Sequence, residues 1–268
     1  MKHLKIFENK NVFDSEVKNL PHPSIIFVKQ DDSTYFVECS LTLVYDIREG
    51  DAPYYKIINE DFINSGVKRM YIDGVKLSKP QSQFNDTMEG QHTVKIVFND
   101  FLIDTNNMFN NCVGLISVDF KNFNTVISNM SYMFNGCYNL INVKNLMSLE
   151  TVIDASFMFY GCNKLTQFSV DYLPQNCYNM FANTGLTKFM FSGIKNDIIY
   201  NFEEMFKGCQ LLTEISFNSL IEMNLNQESN VRNMFANISE NGYVEYWLGS
   251  SVELIVDQLP STWTKNGV

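Results

Sequence analysis

The chain has 268 residues, 45% of them hydrophobic and 14% aromatic, which is ample for a packed core and argues against disorder along most of its length. Thirty Asp and Glu against twenty Lys and Arg leave a net charge of −10, which argues against nucleic acid or an anionic lipid surface as the main partner. No stretch approaches the roughly 18 apolar residues of a bilayer-spanning helix, and the opening MKHLKIFENKNVFD lacks the roughly 7 to 15 residue apolar run of a secretory signal, so neither membrane insertion nor standard export is expected.

Residues 1–45 alternate in a β-like way through LKIF, PSIIFVKQ and TYFVECSLTLVY, with Asp31-Asp32-Ser33 as a hairpin turn between two β-rich runs. Too short to be stable alone, this region reads as an attachment unit that docks on something. Residues 46–66 turn polar around Gly50 and Pro53 and read as a linker. Residues 67–103 read as a small β unit, with Asp73-Gly74 as a turn and Val94, Ile96 and Phe98 on one face of HTVKIVF. Its expected role is to cap the repeats that begin at residue 104.

From residue 104 to 245 one phrase returns six times: NMFNNC, YMFNGC, FMFYGC, NMFANT, EMFKGC and NMFANI, with its Met at 108, 133, 158, 180, 205 and 234. The spacings are 25, 25, 22, 25 and 29 residues, a period that marks a solenoid of stacked units. After the phrase come Leu115, Leu140, Leu165, Leu186 and Leu212 and a short alternating run, which predicts a strand. Met and Phe adjacent, with Cys three beyond Phe and Gly136, Gly161 or Gly208 just before it, suits a short helical turn. The expected fold is therefore an α+β solenoid, a leucine-rich-repeat-like stack of short parallel strands and helical turns, preceded by β-rich N-terminal units. Residues 246–268, through Trp247 and Trp263, are expected to cap its far end.

Cys112, Cys137, Cys162 and Cys209 occupy one repeat position, which favours small buried thiols over disulfides. His3, His22 and His92 have no ligand-like neighbours in sequence, and the glycine-rich phosphate loop and the Gly-x-Ser-x-Gly elbow are absent. Neither a catalytic residue, a metal site nor a cofactor is expected. Adjacent Glu203 and Glu204 read as a solvated charged face rather than the acid and base of a glycosidase. The Phe at 109, 134, 159, 181, 206 and 235 shares one position and reads as core, not as a sugar-stacking platform. Binding residues are expected where copies differ, on the outward strand positions Ser117, Asn142, Gln167, Lys188, Glu214 and Tyr243. That row is polar and mixed in charge, suited to a protein or glycan surface.

The pattern Met-Phe-x-Gly-Cys-x-x-Leu, followed by a strand and a linker such as NFNTVISNMSYMF, resembles the BspA-type leucine-rich repeat of bacterial and mycoplasma surface proteins. The last copy departs from it, with Ile238 in place of Cys. That resemblance implies surface display and adhesion. The opening LKIFENKNVFDSEVKNLPHPSIIFVKQDDSTYF and the HTVKIVF strand are similar to N-terminal modules of virion proteins from phages of gut Bacteroides-like bacteria. This implies a virion component assembled in the host cytoplasm, a tail or head appendage docked to other virion proteins through its N-terminal region, as a homo-oligomer or within a larger assembly. The alternative is a cell-surface adhesin, and a glycan-degrading enzyme is a third class.

Overall fold

A computed structural model of the protein describes residues 27–30, 33–36, 38–48, 55–85, 88–99, 104–123, 125–146, 149–193, 198–217, 228–246 and 253–267. Asp31, Asp32, His3, His22, Trp247 and most of the expected attachment region lie outside them.

Strands β1 (Phe27–Gln30) and β2 (Ser33–Phe36) pair antiparallel, with Gln30 opposite Ser33. Strands β3 (Ser40–Ile47), β4 (Val67–Ile72), β5 (Val75–Lys76), β6 (Gly90–Phe98), β7 (Leu115–Asn122) and β8 (Asn142–Lys144) form one six-stranded sheet in the order β5-β4-β6-β3-β7-β8. Asp73 and Gly74 join β4 to β5 with φ of 50° and 78°, two left-handed residues in succession as a tight hairpin of matching twist demands. Val94, Ile96 and Phe98 are buried, as their alternation implies. Strand β3 lies between β6 and β7 and pairs antiparallel with both, so the N-terminal sheet runs directly into the wall of the repeats.

The segment after β3 closes the near end of that stack. Ile57 and Ile58 are fully buried, and Asn59 caps the short helix α1 (Glu60–Ser65). The Asn59 N–H donates to the Met108 carbonyl at 2.8 Å, the Lys56 ammonium to the Asn110 carbonyl at 2.6 Å, and the Cys112 thiol to the Ile57 carbonyl at 3.3 Å. Residues within the expected linker thus satisfy carbonyls that the first coil would otherwise leave open.

From there the chain is a β-solenoid of about five turns. Beyond β8, the strands β9 (Gln167–Tyr172), β10 (Lys188–Gly193), β11 (Glu214–Phe217), β12 (Tyr243–Tyr246) and β13 (Thr264–Gly267) form a second, all-parallel sheet of five. A row of parallel bridges joins Asp104, Asn129, Asp154, Asn176, Asn201 and Asn230 on another side of the coils. At the far end Trp263 is buried; its indole N–H donates to the Ser239 carbonyl at 2.9 Å, and Gly242 leaves room for its ring.

The helical turns expected at the Met-Phe phrase are not there, and the α+β class is corrected to a β-solenoid with almost no helix. The residue before each Met (Asn107, Tyr132, Phe157, Asn179, Glu204, Asn233) has φ between 53° and 61°. The residue three after it (Asn111, Gly136, Gly161, Asn183, Gly208, Asn237) is left-handed as well, at 57° to 75°. Two left-handed residues four apart cannot lie in a right-handed helix. In place of helical bonding, the N–H groups alternate. Those of Met108, Asn110 and Cys112 fold back to carbonyls three residues earlier, while those of Thr105, Asn107, Phe109 and Asn111 reach the next coil. The same four bonds, 2.7 to 3.1 Å long, recur at each of the five junctions between phrases. The glycines read as helix ends are thus the second bend of a double turn.

Met, Phe, Cys and Leu of the phrase form the interior. Met108, Met133, Met158 and Met180 are fully buried, as are Phe109, Phe134, Phe159 and Phe181. The six Phe rings stack along the axis at centroid distances of 5.5 to 5.7 Å and interplanar angles of 5° to 9°. Repeat geometry sets this near-parallel arrangement, because the rings hang from equivalent positions of successive stacked coils.

Candidate binding surface

The strand wall holds the outward row in two blocks. Ser117 lies opposite Asn142 across β7 and β8. Gln167, Lys188, Glu214 and Tyr243 are mutual neighbours across β9 to β12, and Thr264 of β13 extends that row by one. β8 and β9 belong to different sheets, so the ladder does not run through from Asn142 to Gln167. Asn142, Gln167 and Tyr243 are exposed; Ser117, Lys188 and Glu214 are half-buried. Lys188 and Glu214 form an ion pair, and the Tyr243 hydroxyl accepts from the Asn266 amide at 3.1 Å. A surface ion pair of this kind contributes little stability, about 0 to 1 kcal/mol, and leaves both side chains available to a partner.

A second set of positions escaped the sequence reading. Four residues before every Met stands Asp or Asn: Asp104, Asn129, Asp154, Asn176, Asn201 and Asn230. Each side-chain oxygen accepts the backbone N–H two residues on, at 2.7 to 3.2 Å, the turn for which Asx residues are suited. Asn129, Asn176 and Asn201 also donate to the preceding member at 3.1 to 3.2 Å. Beside this row lies an open groove of about 370 Å³, lined by Ile153, Ile199, Asn176 and Asn201 among others. The signal in the sequence was the fixed offset from Met.

Glu203 and Glu204 do not face one cleft. Glu203 accepts from the Asn230 amide at 2.9 Å and from Arg232 Nε at 2.8 Å, whereas Glu204 pairs with Lys207 at 3.0 Å and accepts from Asn179. The Lys207 hydrogen bond holds the Glu204 carboxyl below its ordinary range. A general acid needs the opposite shift. His92 Nδ1 lies 2.7 Å from an Asp73 carboxylate oxygen, a bond that with the Thr93 N–H lowers the Asp73 pKa. Among the described residues there is no group of three or more His, Cys, Asp or Glu placed to hold a metal ion, and no helix long and apolar enough to cross a membrane.

The six cysteines are free thiols, five of them buried. Cys137, Cys162 and Cys209 each donate to a Phe carbonyl one coil back, at 3.0 to 3.2 Å. Burial pushes Cys112 up to about 12 and Cys209 to about 11, and raises Cys137, Cys162 and Cys177 as well. Thiolate is the reactive form, so these groups are inert. Brief iodoacetamide treatment of the native protein at neutral pH is expected to label half-buried Cys39 and none of the other five, read by peptide mass mapping; rapid labelling of Cys137 or Cys162 would contradict the packing.

Comparison with protein-family models, with curated proteins and with solved structures finds no match.

Proposed function

We propose that this chain is a non-catalytic display protein, in which the solenoid is a rigid rod and the strand row Gln167, Lys188, Glu214 and Tyr243 is its interaction surface. The observation that carries this reading is the register: four side chains that differ in chemistry stand side by side on a continuous parallel sheet, above inward neighbours devoted to stacking. Such a surface is flat, and flat polar surfaces recognise macromolecules rather than small molecules. The N-terminal resemblance supports a place in a phage particle, as a tail or head appendage held through the N-terminal strands. The repeat resemblance supports the alternative of a bacterial surface adhesin with the same exposed row.

Mass spectrometry of purified particles against host envelope fractions separates the two. Recovery with the particles is the expected result, and recovery with the envelope alone overturns the virion reading. For the surface itself, the combined variant Lys188→Glu and Tyr243→Ala is expected to lower binding to host cells at least tenfold, with an unchanged melting midpoint. Undiminished binding places the contact elsewhere.

A further inference from the structure

The half-buried aromatic group on the turn side of the solenoid comprises Tyr132, Phe157, Tyr160 and Tyr178. It is separate from the central Phe stack and from the strand row. Tyr132 and Phe157 stack at 4.7 Å and 12°, Tyr178 meets Phe157 edge-on at 5.1 Å and 88°, and Tyr160 lies 5.7 Å from Phe157. Tyr132 and Phe157 occupy the left-handed position before Met, with φ of 58° and 57°. Three other coils place Asn there (Asn107, Asn179 and Asn233), the side chain best suited to that backbone. Two adjacent coils therefore carry large rings where the backbone disfavours them, a departure that points to use rather than to folding.

The surroundings define what these rings would meet. Among the described residues the hydroxyls of Tyr132, Tyr160 and Tyr178 make no hydrogen bond, and Tyr132 has a ring neighbour only on its Phe157 side. In the preceding coil, the place of Tyr132 is taken by the short Asn107, whose amide is tied to Asn106 and accepts from Asn110 at 2.7 Å. In the later coils, Glu203 is paired with Arg232 and Glu204 with Lys207, so these four charges are balanced in pairs. Backbone pairing by a peptide is excluded along the phrase, because its alternate N–H groups are already given to the next coil or folded back. What is left for recognition is ring surface, phenol hydroxyls and oriented amides. Hydroxyl-rich, uncharged molecules with apolar C–H faces match that set.

We infer that the Tyr132, Phe157, Tyr160 and Tyr178 cluster is a binding site for a neutral oligosaccharide, with the rings under its C–H faces and the phenols and neighbouring amides on its hydroxyls. The net charge of −10 disfavours acidic glycans. This site does not depend on the strand row, and its test does not involve it.

The full chain is titrated by calorimetry with maltohexaose, cellohexaose and N-acetylchitohexaose, alongside the double variant Tyr132→Asn with Phe157→Asn and the single variant Tyr178→Ala. Wild type is expected to bind at least one of the three with millimolar or tighter affinity. The double variant is expected to bind it at least tenfold more weakly, with a melting midpoint equal to or above wild type because Asn relieves the left-handed positions, and Tyr178→Ala is expected to weaken binding too. Absence of binding to all three sugars overturns the assignment, as does equal binding by the double variant and Tyr178→Ala. A double variant that melts lower, while Tyr178→Ala folds normally and binds as wild type, identifies the rings as a structural stack and overturns it likewise.

Discussion

Replacing Phe159 by alanine is expected to destabilise the protein by about 3 to 5 kcal/mol, the range for deleting a buried ring. The ring is fully buried in the third coil, parallel to Phe134 on one side and Phe181 on the other at 5.5 Å each, with Phe168 at 5.0 Å. Cost at such a site depends on how far the neighbours can collapse. Here they cannot close the gap along the axis, because four inter-coil hydrogen bonds on each side hold the coils apart at the phrase. Urea denaturation followed by circular dichroism measures the loss. A cost below about 1 kcal/mol would show that the ring does not bear on the stack as its burial implies.

Gly185→Ala is expected to be nearly as damaging, for a different reason. The fourth phrase comes 22 residues after the third instead of 25, and its shortened coil brings Gly185 against its neighbour. A Cβ there would stand 2.0 Å from the Asn163 carbonyl oxygen and 2.9 Å from its carbon, both backbone atoms that cannot turn aside. Overpacking of this kind costs about 1 to 3 kcal/mol and sometimes more, and the upper end applies where main chain must move. The melting midpoint is expected to fall by roughly 6 to 12 °C, taking about 2 to 4 °C per kcal/mol for a chain of this size class. Gly74→Ala is the control: it has a left-handed φ of 78° but nothing within 4 Å of a Cβ, so it reports backbone strain alone. A Gly185→Ala variant as stable as the control would show that the short coil has room to spare.

The sequence carried the interior well and the turn badly. Met158, Phe159, Cys162 and Leu165 were legible because a core position must repeat its chemistry in every coil, and all four are buried. Apolar residues at one, two and five in a row, however, fit a helical turn and a double left-handed turn equally. What decides between them is the polar residues: Asn or Gly at the second bend of every copy, Asn at the first bend of three, and Asp or Asn four before Met. The position of β3 could not be read at all, since its pairing with β6 and β7 joins segments far apart in the chain. The candidate site was half legible. Variation between copies marked Gln167, Lys188, Glu214 and Tyr243, but the same criterion, applied to the phrase, would have singled out Tyr132 and Phe157.

The hydrogen bonds between phrases all run one way, each phrase giving its outward N–H groups to the phrase of the coil after it, while Ile141, Ile153, Asn176 and Asn201 outside the phrase donate to the coil before. The rod therefore has a head and a tail, as a polar filament does. At the head, Asn59 and Lys56 already occupy the carbonyls of Met108 and Asn110, so one copy cannot add its tail to the head of another through these groups. That route to runaway polymers is shut. Growth from within is not, because a coil duplicated at any interior junction finds the donors below it and the acceptors above it unchanged. Length, and with it reach, is thus a trait this architecture can alter by recombination without redesigning either end.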